Sequence, residues 1–599
     1  MRPHPPMRGM FDVWAPRAGR VRLICGDNVG GGVVEMARDE TGWWSPLDPL
    51  PRVVERLDDR DPSSAYVDYG YMLDDDPAVL PDPRSRRQPG GVLALSRTLD
   101  PARFVWTDDA WTGRQLAGSV IYELHVGTFT PAGTFDAAIA QLGHLCSIGV
   151  DAVELMPVNA FDGTHNWGYD GVLWSAVHEG YGGPDGYRRF VDACHRAGIA
   201  VIQDVVYNHL GPSGNYLPRF GPYLKQGRNT WGDLINLDGE GSGEVRRLIL
   251  DNVAMWFTDF HVDGLRLDAV HALHDDSPVH LLEEMAIETA ALSAHLRRPL
   301  TLIAESDLND PHLITPREAG GFGLDAQWSD DFHHAVHVAL TGETTGYYAD
   351  FAPLSALAKV CERGFFHDGT FSSFREREHG VAIDTATLPA WRLVVCSQNH
   401  DQIGNRAIGD RLTAHLDDDQ LACAALLTLA GPFTPMLFQG EEWGASTPFQ
   451  FFTSHSDREI GRATGEGRIA EFARMGWDPD VVPDPQDPAT FDRSILDWGE
   501  PDTERGRRLL AVYRRLAELR RTEPDLTDPD LRAVSCRVDE GARLFSMTRG
   551  ALEMVVNFGD QSVTARIGAS EVLFQTPSGV RLDDGVLTVP PHGGALLRR

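Results

Sequence analysis

Between residues 120 and 439 the chain alternates short runs of apolar residues with longer stretches whose apolar positions recur every three or four residues. Short continuous apolar runs read as strands buried on both faces, and the longer spacing reads as helices, so the region predicts repeated βαβ units. The predicted strands are Val120 to Val126, Ala152 to Pro157, Ala200 to Tyr207, Gly264 to Ala269, Thr301 to Glu305, Leu324 to Trp328, Leu393 to Ser397 and Met436 to Gln439. Helical stretches fall between them at Phe135 to Ile148, Gly186 to Ala197, Val245 to Phe260, Val279 to Leu296 and Gln420 to Leu429, with Gly149 and Gly198 as helix stops. Eight parallel strands alternating with helices close into a (β/α)8 TIM barrel, an α/β fold.

The pattern changes on both flanks. Before about residue 95, short β-rich runs such as Val21-Arg-Leu-Ile-Cys25 are punctuated by Gly30 to Gly32 and by Pro and Asp clusters, which predicts an immunoglobulin-like β-sandwich. Residues 96–110 read as a linker and 111–505 as the barrel, with a short insertion after the third strand at about 209–243. From residue 506 a helix, Arg507 to Leu519, leads into short strands that include Leu552 to Asn557 and Glu571 to Phe574, a small C-terminal β domain.

Composition narrows the class of ligand. A chain of 599 residues exceeds one core and is expected to hold two to four domains. Its formal net charge of -33 argues against nucleic acid or an anionic membrane surface, both of which need basic patches, and favours a neutral substrate. Nearly all the basic residues are Arg, with Lys225 and Lys359 the only lysines; no mechanism follows from that. The seven cysteines are scattered without a C-x-x-C pair, which predicts free thiols in a reducing compartment. Met1 to Met10 lacks the apolar core of a secretory signal, and Leu421 to Phe438, broken by Gly431, Pro432 and Pro435, is too short to span a bilayer. A cytoplasmic enzyme is expected.

Polar residues gather at the carboxyl ends of the predicted strands, where barrels carry their chemistry. In Gly264-Leu-Arg-Leu-Asp268-Ala269, Arg266 and Asp268 are two apart, so strand alternation points both to one face. An Arg beside a carboxylate favours the ionised form that a nucleophile needs, although such a pair also serves as a structural ion pair. Glu305 ends an apolar strand, a setting that raises a carboxyl pKa and suits a general acid. If the two flank one glycosidic bond at roughly 5 Å, the geometry predicts retention through a covalent glycosyl intermediate. His400 and Asp401 in Asn399-His-Asp401, and His209 closing Asp204-Val-Val-Tyr-Asn-His209, suit contacts with sugar hydroxyls.

Aromatic residues leave two readings open. Trp167 and Tyr169 in Trp167-Gly-Tyr169-Asp170-Gly171 either stack on a pyranose face or pack in the core, and Phe449, Phe451 and Phe452 either line a glucan groove or lie beneath a loop. His333 with His334, and His271 with His274, do not have the spacing of a ligand set, so neither a metal nor another cofactor is expected.

Taken in order, Asp204 to His209, Gly264 to Ala269, Ala304-Glu305 and Asn399 to Asp401 resemble the four sequence regions of the α-amylase family of glycoside hydrolases. The resemblance implies Asp268 as nucleophile, Glu305 as acid/base and Asp401 as transition-state stabiliser. It also implies Tyr169, His209, Arg266 and His400 around the reacting glucose, with Asp170 and Trp167 nearby. Tyr122 to Thr130, Trp328 to His334, Phe365 to Gly369 and Phe438 to Phe452 are similar to the trehalose-releasing hydrolases of that family. That similarity implies cleavage of the α-1,4 bond next to the terminal trehalose of maltooligosyltrehalose, downstream of a synthase that makes this substrate. Branching transferases and debranching enzymes share the same carboxylates and stand as the alternative. Where many α-amylases carry Lys-His after the nucleophile this chain has His271-Ala272, which removes a calcium-associated feature and suggests a different leaving-group site.

Overall fold

The computed structural model describes residues 8–26, 31–47, 66–474 and 478–599; the segment before residue 8 and Gly30 lie outside the described residues. Eight parallel strands form the closed barrel: β1 (Ile121–Leu124), β2 (Ala152–Leu155), β3 (Ala200–Val205), β4 (Gly264–Leu267), β5 (Thr301–Ala304), β6 (Ala326–Trp328), β7 (Leu393–Val395) and β8 (Thr434–Phe438). All eight fall within one or two residues of the predicted runs, because strands buried on both faces are built mostly of apolar residues.

Alternation along these strands sorts their side chains. Ile121, Ala152, Ile202, Ile303, Ala326, Val394 and Met436 pack together as one buried cluster inside the barrel. The next position toward the carboxyl end of β1 to β4 is polar in every case: Glu123, Glu154, Asp204 and Arg266. Register pairs Glu123 with Glu154 and Asp204 with Arg266, while Glu154 stands opposite Ile202, so the pair on β3 and β4 lies two residues further toward the carboxyl ends than the pair on β1 and β2.

Helices Gly183–Arg196, Ser242–Asp259, Leu281–Leu296, Asp330–Thr341 and Asp418–Leu429 cover the barrel wall. Gly149 and Gly198 follow their helices with φ of 85° and 79°, a conformation that a side chain resists. The stretch predicted as one helix from Phe135 to Ile148 is two, Phe135–Ile139 and Leu142–Ser147, broken at Ala140 and Gln141. Neither piece exceeds two turns, so tertiary packing of Phe135, Leu142 and Leu145 holds them and not helix propensity.

Helix Glu504–Thr522 packs on Asp418–Leu429, and its Arg521 reaches the Gly149 carbonyl at 2.8 Å beside the start of β2. It thus fills the gap in the helical ring between the seventh and first units. We therefore draw the start of the C-terminal domain after this helix and not at residue 506. Beyond it, a five-stranded and a three-stranded antiparallel sheet face one another across Val555, Leu587, Val589, Ala595 and Leu597.

Among the described residues the N-terminal domain has six antiparallel strands, and it docks on the barrel through Trp14 against Tyr223, Tyr71 against Phe220, and ion pairs from Arg84 to Asp251 and Arg86 to Asp259. The segment leading to Trp111 runs under the barrel, where the Trp111 indole donates to Asp263 at 2.7 Å and stacks on His195. No described helix is long and apolar enough to cross a membrane.

Candidate active site

Asp268 follows the last residue of β4, and its backbone amide continues the ladder by donating to the Val205 carbonyl at 3.0 Å. Its carboxylate accepts from Arg266 at 2.7 Å and from the Asn208 side chain at 2.7 Å. Glu305 follows β5 and lies 3.7 Å from the second terminal nitrogen of the same guanidinium. Ala269 adopts φ 40°, a left-handed conformation costly for a residue with a side chain, and there its amide donates to Glu305.

Arg266 is fully buried and cannot be satisfied by water. It also donates to both oxygens of Asp204, at 3.1 and 2.9 Å, and its guanidinium lies over the Trp328 ring at 4.2 Å. Burial pushes Glu305 up to about 8; Arg266 opposes this, while the negative charges of Asp268, Asp401 and Asp330 add to it. Burial likewise raises Asp204 to about 7 against the pull of Arg266.

Asp401 sits in the first turn of a short helix, His400–Gly404, after β7, capped by the Asn399 side chain, which accepts from the Gln402 amide at 2.8 Å. Its side chain is 39 % exposed, the most open of the three acids, and lies 3.4 Å from His400. His400 itself is buried between Glu123 and the Tyr169 hydroxyl, 2.8 Å away. Tyr169 donates to Asp204 at 2.6 Å and stacks on His400. His209 donates to the Tyr169 carbonyl at 3.0 Å, and Asp170, on the same loop, accepts from Asn166 and lies 3.7 Å from His455. The structure therefore gathers Asp268, Glu305, Asp401, Arg266, Tyr169, His209 and His400 around one opening.

Trp167 does not join them as an open face. It is 4 % exposed, its indole donates to the Gln450 carbonyl at 2.9 Å, and Phe449 stacks on its ring. A Cβ on Gly404 would come within 2.1 Å of that ring, so the helix carrying Asp401 rests directly on it. Sugar stacking is excluded for Trp167 by this packing, and its role is to support the site from below. Phe449 and Phe452 are likewise buried, and Phe451 is covered by Arg468 at 4.7 Å. An open aromatic beside His209 and His271 is Trp231, in the insertion after β3, 48 % exposed.

Four site acids were not among the expected residues: Glu123, Glu154, Asp204 and Asp330. The signal for the first three was a single acid inside a largely apolar strand, which burial permits only with a partner or a proton. Asp330 begins the helix after β6 and accepts from Gln402 at 3.4 Å, with burial and then Asp401 raising it to about 7.

Comparison with known proteins agrees with this geometry. Residues 99–231 match the model of the alpha amylase catalytic domain, and residues 529–596 match a C-terminal domain of unknown function, DUF3459. The chain is 58 % identical over 597 residues to a malto-oligosyltrehalose trehalohydrolase of Rhizobium sp. (strain M-11), covering 98 % of each chain. The chain belongs to the malto-oligosyltrehalose trehalohydrolase family. A second member, from Arthrobacter ramosus, is 58 % identical over 592 residues, covering 99 % of this chain and 96 % of that one. A solved structure from Salmonella typhimurium, described as a candidate alpha amylase, superposes with a TM-score of 0.86 at 34 % identity, covering 98 % of this chain and 97 % of that chain. The protein is thus a glycoside hydrolase of the α-amylase type.

Proposed function

We propose that this enzyme hydrolyses the α-1,4-glucosidic bond next to the terminal trehalose of maltooligosyltrehalose with retention of configuration, releasing trehalose and a maltooligosaccharide. The observation that carries the reading is that Asp268 and Glu305 share one guanidinium, the first bonded at 2.7 Å and the second 3.7 Å away. A shared cation places the two carboxyl groups beside one another, the arrangement from which double displacement proceeds.

In the first step an Asp268 oxygen bonds to the anomeric carbon while the bond to the leaving oxygen breaks. Glu305 gives its proton to that oxygen, and trehalose departs. In the second, Glu305, now a carboxylate, takes a proton from water, whose oxygen bonds to the anomeric carbon as the ester to Asp268 breaks. Asp401 offsets the positive charge on the ring in both transition states. Tyr169, His209, His400 and Asp170 hold its hydroxyls, and Arg266 keeps Asp268 aligned.

The substrate assignment draws on the names of the relatives and on His271 and exposed Trp231 at the leaving-group side. We also assign the enzyme to the cytoplasm, in line with seven free cysteines, and to the step after a synthase that forms the trehalose end of a maltooligosaccharide. Incubating the purified protein with maltooligosyltrehalose tests the reading: free trehalose is the expected product. Absence of trehalose together with iodine-detectable branching of amylose would assign a transferase instead.

A further inference from the structure

His400 is enclosed by polar groups and aromatic rings. From β1, the two Glu123 oxygens accept from the ring Nδ1 and from the His400 backbone amide, the latter at 2.9 Å. Tyr169 meets the other ring nitrogen, Nε2, at 2.8 Å. Asp401 approaches from its own helix at 3.4 Å, while the charges of Arg266 on β4 and Asp204 on β3 act from beyond Tyr169. Glu154 on β2 and His125 after β1 act at longer range, and the rings of Trp167 and Trp328 complete the enclosure.

The hydrogen bonds determine which nitrogens carry protons. Both Asp204 oxygens accept from Arg266, and one also accepts from the Tyr169 hydroxyl at 2.6 Å. A tyrosine hydroxyl has a single proton, and here it goes to Asp204, so the Tyr169 oxygen must accept from His400 Nε2. The Nδ1 atom faces a carboxylate that only accepts. Both ring nitrogens therefore donate, and a ring that donates twice is an imidazolium.

Resting on the hydrolase reading above, we propose that Glu123 is a positioning residue for the reaction: its carboxylate fixes His400 as an imidazolium between Asp204 and Asp401, beside the reacting sugar. The site otherwise has Arg266 as its nearby cation against Asp204, Asp268 and Asp401. A second cation 3.4 Å from Asp401 offsets the negative charge that these acids gather around the reacting centre. The raised pKa of His400, about 9 although burial alone would lower it, agrees with Asp401 and Glu123 supplying the compensating charge.

Glu123→Gln tests this, since it keeps the shape and one acceptor but removes the charge. The expected result is a fall in kcat of roughly ten- to a hundredfold, the range for losing a charge-assisted hydrogen bond, with little change in KM. The alkaline limb, set by Glu305 in the unaltered enzyme, should move to lower pH, because His400 without the Glu123 charge gives up its proton before Glu305 does, and Glu123→Asp should restore part of that shift. A uniform loss of activity with the limb unmoved would make Glu123 merely structural and overturn the proposal. Nitrogen-15 NMR of the unaltered enzyme, with His400 assigned by loss of its signals in His400→Asn, should show both ring nitrogens protonated at neutral pH; a neutral ring would overturn it equally. The NMR measurement needs no substrate. Failure to release trehalose would therefore count against the substrate reading alone, leaving the ring signals to decide the role of Glu123.

Discussion

Arg266 donates to Asp268 at 2.7 Å but stops 3.7 Å from Glu305, so one buried cation favours the two carboxyl groups unequally. The group in hydrogen-bond contact gains the larger share of the charge, and the more distant one is left to burial. In the proposed mechanism this difference of environment is what separates the acid from the nucleophile, although both are carboxyl groups at strand ends.

Removing either group should separate the roles. Asp268→Asn and Glu305→Gln are each expected to lower kcat on maltooligosyltrehalose by about three orders of magnitude or more while leaving thermal stability near that of the unaltered enzyme. The two variants should then differ on an aryl glycoside whose leaving group needs no proton. Glu305→Gln should recover the first step and show a burst of product, and Asp268→Asn should not. Equal behaviour of the two on that substrate would refute the assignment.

The pH dependence follows from Glu305. Its pKa, raised to about 8 chiefly by burial, keeps the proton in place below that pH, so activity should persist to about pH 8 and fall above it as the general acid ionises. Asp330 contributes negative charge to this shift, so Asp330→Asn should lower the Glu305 pKa. The alkaline limb of kcat/KM should accordingly move to lower pH in that variant. A pH-rate profile checks the sign, and a limb that stays or moves upward contradicts it.

What could be read from the sequence follows from which forces are local. Parallel barrel strands are buried on both faces and so spell themselves as apolar runs, which is why all eight were legible. The positions of Asp268 and Glu305 were legible because a polar residue at a strand end interrupts that spelling, that of Arg266 because alternation ties it to Asp268, and that of Asp401 only through the Asn399-His-Asp401 motif in the loop beyond the seventh strand. Trp167 was not, since an indole that stacks on sugar and one that supports a helix look the same until Gly404 is found against it. Glu123 and Glu154 were written inside Ile-Tyr-Glu-Leu and Ala-Val-Glu-Leu, but their meaning depends on register between strands distant in sequence. Helix Glu504–Thr522 reads the same whether it belongs to the barrel or to the domain after it, and only packing against Asp418–Leu429 decides.

Because Trp167 supports the site from below, its loss should act through stability. Trp167→Ala is expected to cost about 3–5 kcal/mol, the range for removing a large buried ring, seen as a lower denaturation midpoint. The milder Trp167→Phe should lose less stability and keep KM close to normal, since no sugar face is removed. A large rise in KM with unchanged stability in Trp167→Phe would return the residue to substrate stacking.

The joint between barrel and C-terminal domain offers a test of coupling. Just before β8, backbone carbonyls turn inward and are met by two buried arginines. Arg520 donates to Leu429, Gly431, Leu526 and Phe433, and Arg549 donates to Gly431, Leu526 and Asp528. Each guanidinium stays buried because several carbonyls share its charge, although burial lowers both pKa values, Arg520 to about 9 and Arg549 to about 10. Arg520→Met and Arg549→Met should each destabilise by about 2–4 kcal/mol, mainly through carbonyls left without a donor. The Gly431 and Leu526 carbonyls are shared, so each single variant leaves them one donor and the double variant leaves them none. The double variant should therefore lose more stability than the sum of the singles in a chemical-denaturation cycle. Simple additivity would mean that the two arginines act independently and that the shared carbonyls contribute nothing.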